Sequence, residues 1–291
     1  MMDYAFRSDY IDDPKLKRQF IDFLIDIHGL DLSLWDRLGF WDRKYRPFSF
    51  FDGDTLIASL CLFTMDMTVL GKKCKVAQIS GVGTVDKYRR QGLNSELTKR
   101  AMKWAQTDHE FFFLFSDLEA FPFYKHSGFR RVKEHMILHT LTPTGTIAGA
   151  VKLDIERKDH LDLIYRCALE REPVSDLLGI NNAQLLLFWC LYFLQDYIYY
   201  IEAYDLLILY KREDNHLTVF DIVAGKMPSF TEIYPYIASP QDKTVEFRFM
   251  PDKLGLDRYE ERPLKEDNGT HLFGDFPLEN RSFIFPHTCI A

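Results

Sequence analysis

The chain has 291 residues, enough for two domains of ordinary size, and its 47% hydrophobic and 27% charged residues are the balance of a packed globular protein. A formal net charge of −7, with no domain-wide basic face apparent in the sequence, disfavours nucleic acid as a main partner and is compatible with a cationic amine. The N-terminus lacks an apolar signal core, and the most apolar run, residues 185–194, is about half of the roughly 20 residues a membrane helix needs. A cytoplasmic chain with no membrane partner is therefore expected.

Residues 14–28 predict the first helix. Phe20, Phe23, Leu24 and Ile27 recur at i, i+3, i+4, i+7, and Gly29 stops the run. Residues 30–47, rich in Trp, Phe and Asp, read as short helix and loop. A β run at 48–51, the turn Asp52-Gly53-Asp54 and a β run at 56–63 predict a hairpin. A second turn, Leu70-Gly71-Lys72-Lys73, leads into a long strand over 75–85. Gly81 and Gly83 inside it predict a bulge or a close backbone approach.

That strand enters a basic turn, Lys87-Tyr88-Arg89-Arg90-Gln91-Gly92, and then a helix with Leu93, Leu97, Ala101 and Trp104 on one face. Such a turn aims backbone N–H groups at a phosphate. The first helical turn has donors without internal partners, and its dipole favours negative charge. Gly92 lets the backbone approach the anion, and the arginines add forked donors. Neither a Gly-x-x-x-x-Gly-Lys-Ser/Thr loop nor a Gly-x-Gly-x-x-Gly fingerprint is present. Residues 111–115 are continuously apolar and read as a buried strand ending at Ser116-Asp117. A short helix over 118–127 follows, closed by Gly128.

Two of these segments resemble the GNAT family of acetyl-CoA-dependent N-acyltransferases. Arg89-Arg90-Gln91-Gly92-Leu93-Asn94 resembles the Arg/Gln-x-x-Gly-x-Gly/Ala signature, with Asn94 in place of the last small residue. Phe123-Tyr124-Lys125-His126-Ser127-Gly128-Phe129 resembles the family's Phe-Tyr-x-x-x-Gly-Phe element. They stand in the family's order and distance, and the resemblance covers about residues 1–140.

The resemblance implies an α/β (α+β) fold, a mixed and mostly antiparallel sheet flanked by helices. It implies acetyl-CoA as acyl donor, no metal, and a small-molecule or peptide amine as acceptor. Gly83, Thr84, Val85, Arg90, Gln91, Gly92, Leu93, Asn94 and Ser95 would hold the donor. Its pyrophosphate would lie on the N–H groups of residues 90–95, and its pantetheine arm in a gap between the bulged strand and the strand at 111–115. A backbone N–H near Val82 to Val85 would polarise the thioester. Tyr124 stands where family members carry the tyrosine that protonates the departing sulfur. The base stays open among Asp117, Glu119, Asp66, His126, the Ala291 carboxylate and ordered water. The family's acceptor pocket maps onto Trp35, Phe40, Trp41 and Tyr45 with Asp31, Asp36 and Asp42, which equally suit a packed helix with a solvated face.

Residues 142–150 are turn-rich and small, and read as a linker between a cofactor-binding unit over 1–141 and a second unit over 151–291. The second unit shows helical patterns at 161–170 and 184–194, a hairpin over 206–223, a helix near 230–236 and a strand at 244–249. This order coarsely repeats the first half and predicts a degenerate GNAT-like half, as in the tandem "enhanced intracellular survival" branch without its third domain. Ala224-Gly225-Lys226-Met227-Pro228 lacks the basic glycine turn, so one donor site is expected. A non-catalytic CoA-binding regulator and an aminoacyl transferase are the alternatives. The five cysteines are odd in number, lack metal spacing, and read as buried free thiols.

Overall fold

A computed structural model describes residues 4–142, 144–265 and 269–291. Pro143 of the expected linker and residues 1–3 of the expected first unit lie outside the described residues. The chain begins with β1 (Ala5–Ser8), α1 (Pro14–His28), α2 (Ser33–Arg37), β2 (Tyr45–Asp52), β3 (Thr55–Val69) and β4 (Lys72–Thr84). Then come α3 (Leu93–Ala105), β5 (Phe111–Ser116), α4 (Phe121–His126), β6 (Arg130–Val132) and β7 (His135–Thr140). The second half holds β8 (Ala150–Lys152), α5 (Lys158–Glu170), β9 (Leu178–Ile180), α6 (Ala183–Tyr192), β10 (Ile198–Ile201), β11 (Leu206–Glu213) and β12 (His216–Val223). It ends with α7 (Phe230–Ile237), β13 (Thr244–Phe247), β14 (Glu260–Pro263) and β15 (Gly269–Gly274).

Local chemistry accounts for the first helix. The Asp13 carboxylate accepts from the N–H groups of Lys15 and Leu16 at 3.0 Å, Pro14 occupies the first turn, and Gly29 ends the helix at φ 67°. Phe20, Ile21, Phe23 and Leu24 are buried against the sheet, each contributing about 1.5–3 kcal/mol by area. The first hairpin turns at Gly53, with φ 58°. The second turns at Leu70 and Gly71, both in the left-handed region, as a two-residue turn requires.

The first sheet runs β1-β2-β3-β4-β5-β15-β6, and the second runs β14-β7-β13-β12-β11-β10-β8. Read from opposite edges the two orders correspond, so the second half repeats the fold of the first. In each sheet the helix-linked central pair is parallel, β4 with β5 and β12 with β13. Each sheet also borrows a strand. β7 pairs with β13 and β14 in the second sheet, and β15 returns from the far end of the chain to pair with β5 and β6. The halves are thus interleaved, and one continuous apolar core spans both. α6, apolar on nearly every face, is buried in that core. No helix among the described residues is long and apolar enough to cross a membrane.

Candidate active site

β4 carries a bulge. Ser59 and Cys61 of β3 face Gly83 and Ser80, so Gly81 and Val82 together oppose Leu60. Gly81 supplies the left-handed conformation, φ 56°. Gly83 answers a different need. A Cβ there would lie 2.8 Å from Ile27 Cγ2 and 3.0 Å from Phe23 Cζ, so α1 can pack this closely only on glycine.

Past the bulge the two parallel strands part. β4 pairs with β5 only from Val76–Phe111 to Gln78–Phe113, although β4 continues to Thr84 and β5 to Ser116. The facing edges of residues 79–84 and 114–116 are not paired with each other.

The chain then passes through a 3₁₀ turn, Asp86–Tyr88, into α3. The first helical bond runs from Glu96 N–H to Gly92 O at 3.1 Å, and no side chain caps the helix. Among the described residues, the N–H groups of Arg90, Gln91, Gly92, Leu93, Asn94 and Ser95 donate to no protein group. Arg90 and Gly92 both have positive φ, 64° and 77°, which turns successive N–H groups toward one side. A Cβ on Gly92 would meet no protein atom within 4 Å, so the left-handed backbone, rather than crowding, requires glycine there. Arg89 is committed to Asp86 at 2.9 Å and to Thr84 O at 3.2 Å. Arg90 is exposed and makes no ion pair among the described residues. Asn94 presents a buried Oδ1 without a partner among the described residues. The Val85 N–H donates to Ile57 O at 2.9 Å, which removes it from the expected thioester-polarising donors.

Tyr124 lies in α4, on the α3 face of the sheet, packed with Phe112, Leu114 and Phe129. Its hydroxyl makes no hydrogen bond among the described residues. Burial, aided by the nearby Asp117 carboxylate, pushes its pKa up to about 12, so the phenol stays protonated at neutral pH. Facing it is His271 of β15, fully buried, with ring centroids 6.0 Å apart and neither imidazole nitrogen in a side-chain hydrogen bond among the described residues. Burial holds the His271 pKa below the usual imidazole value.

On the opposite face of β4 a cavity of about 580 Å³ opens beside the bulge, lined by Ser80 and Gly81. α1 contributes Leu24 and His28, and the loop after it contributes Asp31. Trp35 and Tyr45 also line it, whereas Phe40, Trp41, Asp36 and Asp42 do not. Trp41 donates from its indole to Tyr45 O, Asp36 pairs with Lys17, and Asp42 accepts from the Lys44 N–H. The remaining wall comes from the second half: Leu185, Phe188 and Tyr192 of α6, with Phe193 and Ala291. The Ala291 N–H donates to Gln78 Oε1 on β4 at 3.1 Å.

The other base candidates stand elsewhere. Asp66 pairs with Lys75 at the far end of β4, Asp117 caps the turn before α4 through the Ala120 N–H, Glu119 is exposed, and His126 is bonded back to Pro122 O within α4. No group of three or more potential metal ligands occurs among the described residues.

Bulged strand, parting parallel neighbour and uncapped helix fall within, or directly beside, the segment that matches a known family. Residues 39–132 fit the model of the acetyltransferase (GNAT) domain. That segment matches a GNAT acetyltransferase domain. Solved structures extend the likeness to the second half. A conserved protein of unknown function from Enterococcus faecalis V583 gives a TM-score of 0.60 at 12% identity, covering 93% of this chain and 72% of that one. A GCN5-related N-acetyltransferase from Kribbella flavida gives 0.55 at 15%, covering 92% and 71%. Eis1 from Mycobacterium abscessus gives 0.54 at 15%, covering 93% and 72%. At these identities the likeness shows the fold, a GNAT fold in two halves. No curated protein matches the chain by sequence. Motif reading of the GNAT domain missed His28, His271 and the α6 wall. The only signal for the wall was that apolar run, whose position against Trp35 no local pattern specifies.

Proposed function

We propose that this chain transfers the acetyl group of acetyl-CoA to a primary amine by direct attack, with both substrates bound at once. The observation that carries the reading is the run of unpartnered N–H donors from Arg90 to Ser95, set at the end of a bulged strand that has parted from its neighbour. Donors, left-handed turn and helix dipole suit a pyrophosphate, with Arg90 adding charge. The unpaired edge of β4, with Gly83 and Thr84, suits an extended pantetheine arm. Leu93, Asn94 and Ser95 supply donors from the first turn, while Gln91 stands beside them, accepting from the Tyr4 hydroxyl at 3.2 Å.

Acetyl-CoA, a substrate here, brings the reactive thioester. The chain's own contribution is to hold that carbonyl beside an amine at the bulge, where proximity is the largest effect. The amine nitrogen bonds to the carbonyl carbon and loses a proton. The carbon–sulfur bond breaks, and its electron pair leaves with sulfur. Tyr124 gives its proton to that sulfur, a role its unpartnered, protonated hydroxyl suits. The unit that does this is residues 1–141, completed by β15, and residues 151–291 bind no CoA.

Acetyl-CoA incubated with a panel of amines tests the reading through release of the CoA thiol. All five protein cysteines are buried, so a thiol reagent reads CoA rather than the protein. Thiol release that depends on the amine supports transfer. CoA binding without transfer to any amine would favour a regulator, and no CoA binding would sink both.

A further inference from the structure

Resting on that transfer reading, the cavity beside the bulge identifies the acceptor more narrowly. Its walls are mostly apolar and aromatic: Trp35 and Tyr45 on one side, Leu185, Phe188 and Phe193 on the other. Its volume suits a ligand of one or two rings. Although the chain carries 43 acidic residues, Asp31 is the only acidic side chain among the described residues of the lining. Hydrogen bonds from Ser33 hold the Asp31 pKa below the usual carboxylate range, so it is charged at neutral pH. Asp31 and the terminal carboxylate of Ala291 thus stand among mostly apolar, aromatic walls, which suit the ammonium of an aromatic amine and would leave a polyamine's several ammoniums largely against apolar surface.

Among the described residues the cavity holds one imidazole, beside the bulge. His28 is the last residue of α1, and its terminal place follows from the left-handed Gly29. We propose that this cavity takes an apolar, aromatic amine and that His28 accepts the proton the amine loses as it attacks. His28 is open to solvent by surface area, yet the walls around it lower its pKa from the ordinary imidazole value, an effect the nearby Gly81 carbonyl opposes. Neutral imidazole is the form a base needs at pH 7. The ionisable groups facing it are Asp31 from the following loop, Tyr45 from β2, Tyr192 from α6 and the chain terminus at Ala291. Burial raises the pKa of both tyrosines, so they stay neutral. The proton passes to His28 and then to solvent, and Tyr124 separately protonates the sulfur.

The full chain is assayed with acetyl-CoA and either 2-phenylethylamine or spermidine, as wild type, His28→Gln and Phe193→Ser. The expected kcat/KM favours 2-phenylethylamine by about tenfold or more. His28→Gln lowers kcat on the order of 10²-fold with CoA affinity unchanged. Wild-type kcat falls as pH drops through a value below the ordinary imidazole pKa, because protonated His28 cannot accept, and the variant lacks that limb. Added imidazole restores part of the rate in His28→Ala. Phe193, half-exposed, can be changed without opening the core, and Phe193→Ser raises KM for the aromatic amine roughly tenfold at constant kcat. Transfer that runs equally well on spermidine, or a His28→Gln loss below about threefold, overturns the inference and leaves the transfer reading standing. Calorimetry showing no CoA binding by the wild type removes both.

Discussion

The two halves share a strand order and a helix after the central strand, yet those two helices begin differently. α3 starts at a left-handed glycine with no side-chain cap, and six successive N–H groups before and within its first turn have no partner among the described residues. At α7 the same region is closed by the chain itself. The Met227 N–H donates to Glu172 at 2.5 Å, Pro228 has no N–H, the Ser229 N–H donates to Glu232 at 2.8 Å, and the Phe230 N–H donates to Leu254 O at 2.8 Å.

The sheets differ in the same sense. β12 has its own bulge at Phe220, opposite the step from Leu209 to Tyr210. Up to the bulge β12 stays paired with β13, and the Arg248 N–H donates to Val219 O at 2.9 Å. The C-terminal segment adds His287 N–H to Arg248 O at 2.9 Å and the Thr288 hydroxyl to Asp221. Asp221 is further engaged by Arg171 in a fully buried, two-pronged pair at 2.8 Å. The fold alone therefore does not make a donor site. On the function proposed above, unsatisfied donors at an open strand edge do, and among the described residues one half keeps them while the other satisfies them internally.

The comparison breaks most readily at Gly92. Gly92→Asp puts a side chain on a backbone at φ 77° and a negative charge where the anion would sit, and CoA binding is expected to vanish, a loss of 10²-fold or more by calorimetry. Unchanged affinity would mean that the open donors are not the site.

Tyr124→Phe comes next. Turnover is expected to fall on the order of 10²-fold while CoA affinity holds, because the hydroxyl acts only as sulfur becomes basic. A fall below about threefold would make Tyr124 a packing residue.

The smallest effect sharpens the other side of the comparison. Ser229→Ala removes part of the α7 cap and should cost about 1 kcal/mol. In a chain of this size that is a lowering of Tm by roughly 2–4 °C. CoA affinity and stoichiometry should stay as they were. A second CoA bound by that variant would show that the cap, rather than the whole filled opening, is what closes the second half.

Much of the first half was legible because its signals are local. Asp13, Pro14 and Gly29 bound α1, and Gly81 marks the bulge, each through the residue's own backbone or capping chemistry. The basic turn and the Tyr124 element likewise sit within short stretches. The strand exchange was not legible. β15 is a short strand with glycine at both ends, and its partner β5 lies some 150 residues earlier, so nothing in its own pattern says which sheet it joins. The acceptor wall failed for the same reason. Phe40 and Trp41 are near Trp35 in sequence, but packing turns Trp41 into the core beside Phe20 and Tyr45, while Phe188, more than 150 residues away, meets Trp35 at 6.3 Å. Long-range register decides such contacts, and local periodicity does not encode it.

Crystals of the full chain soaked with CoA test the central claim most directly. The expected density is one CoA per chain, its pyrophosphate on the N–H groups of Arg90 to Ser95 and its arm along the unpaired edge of β4. Density at the N-terminus of α7, or between β12 and β13, would contradict the account.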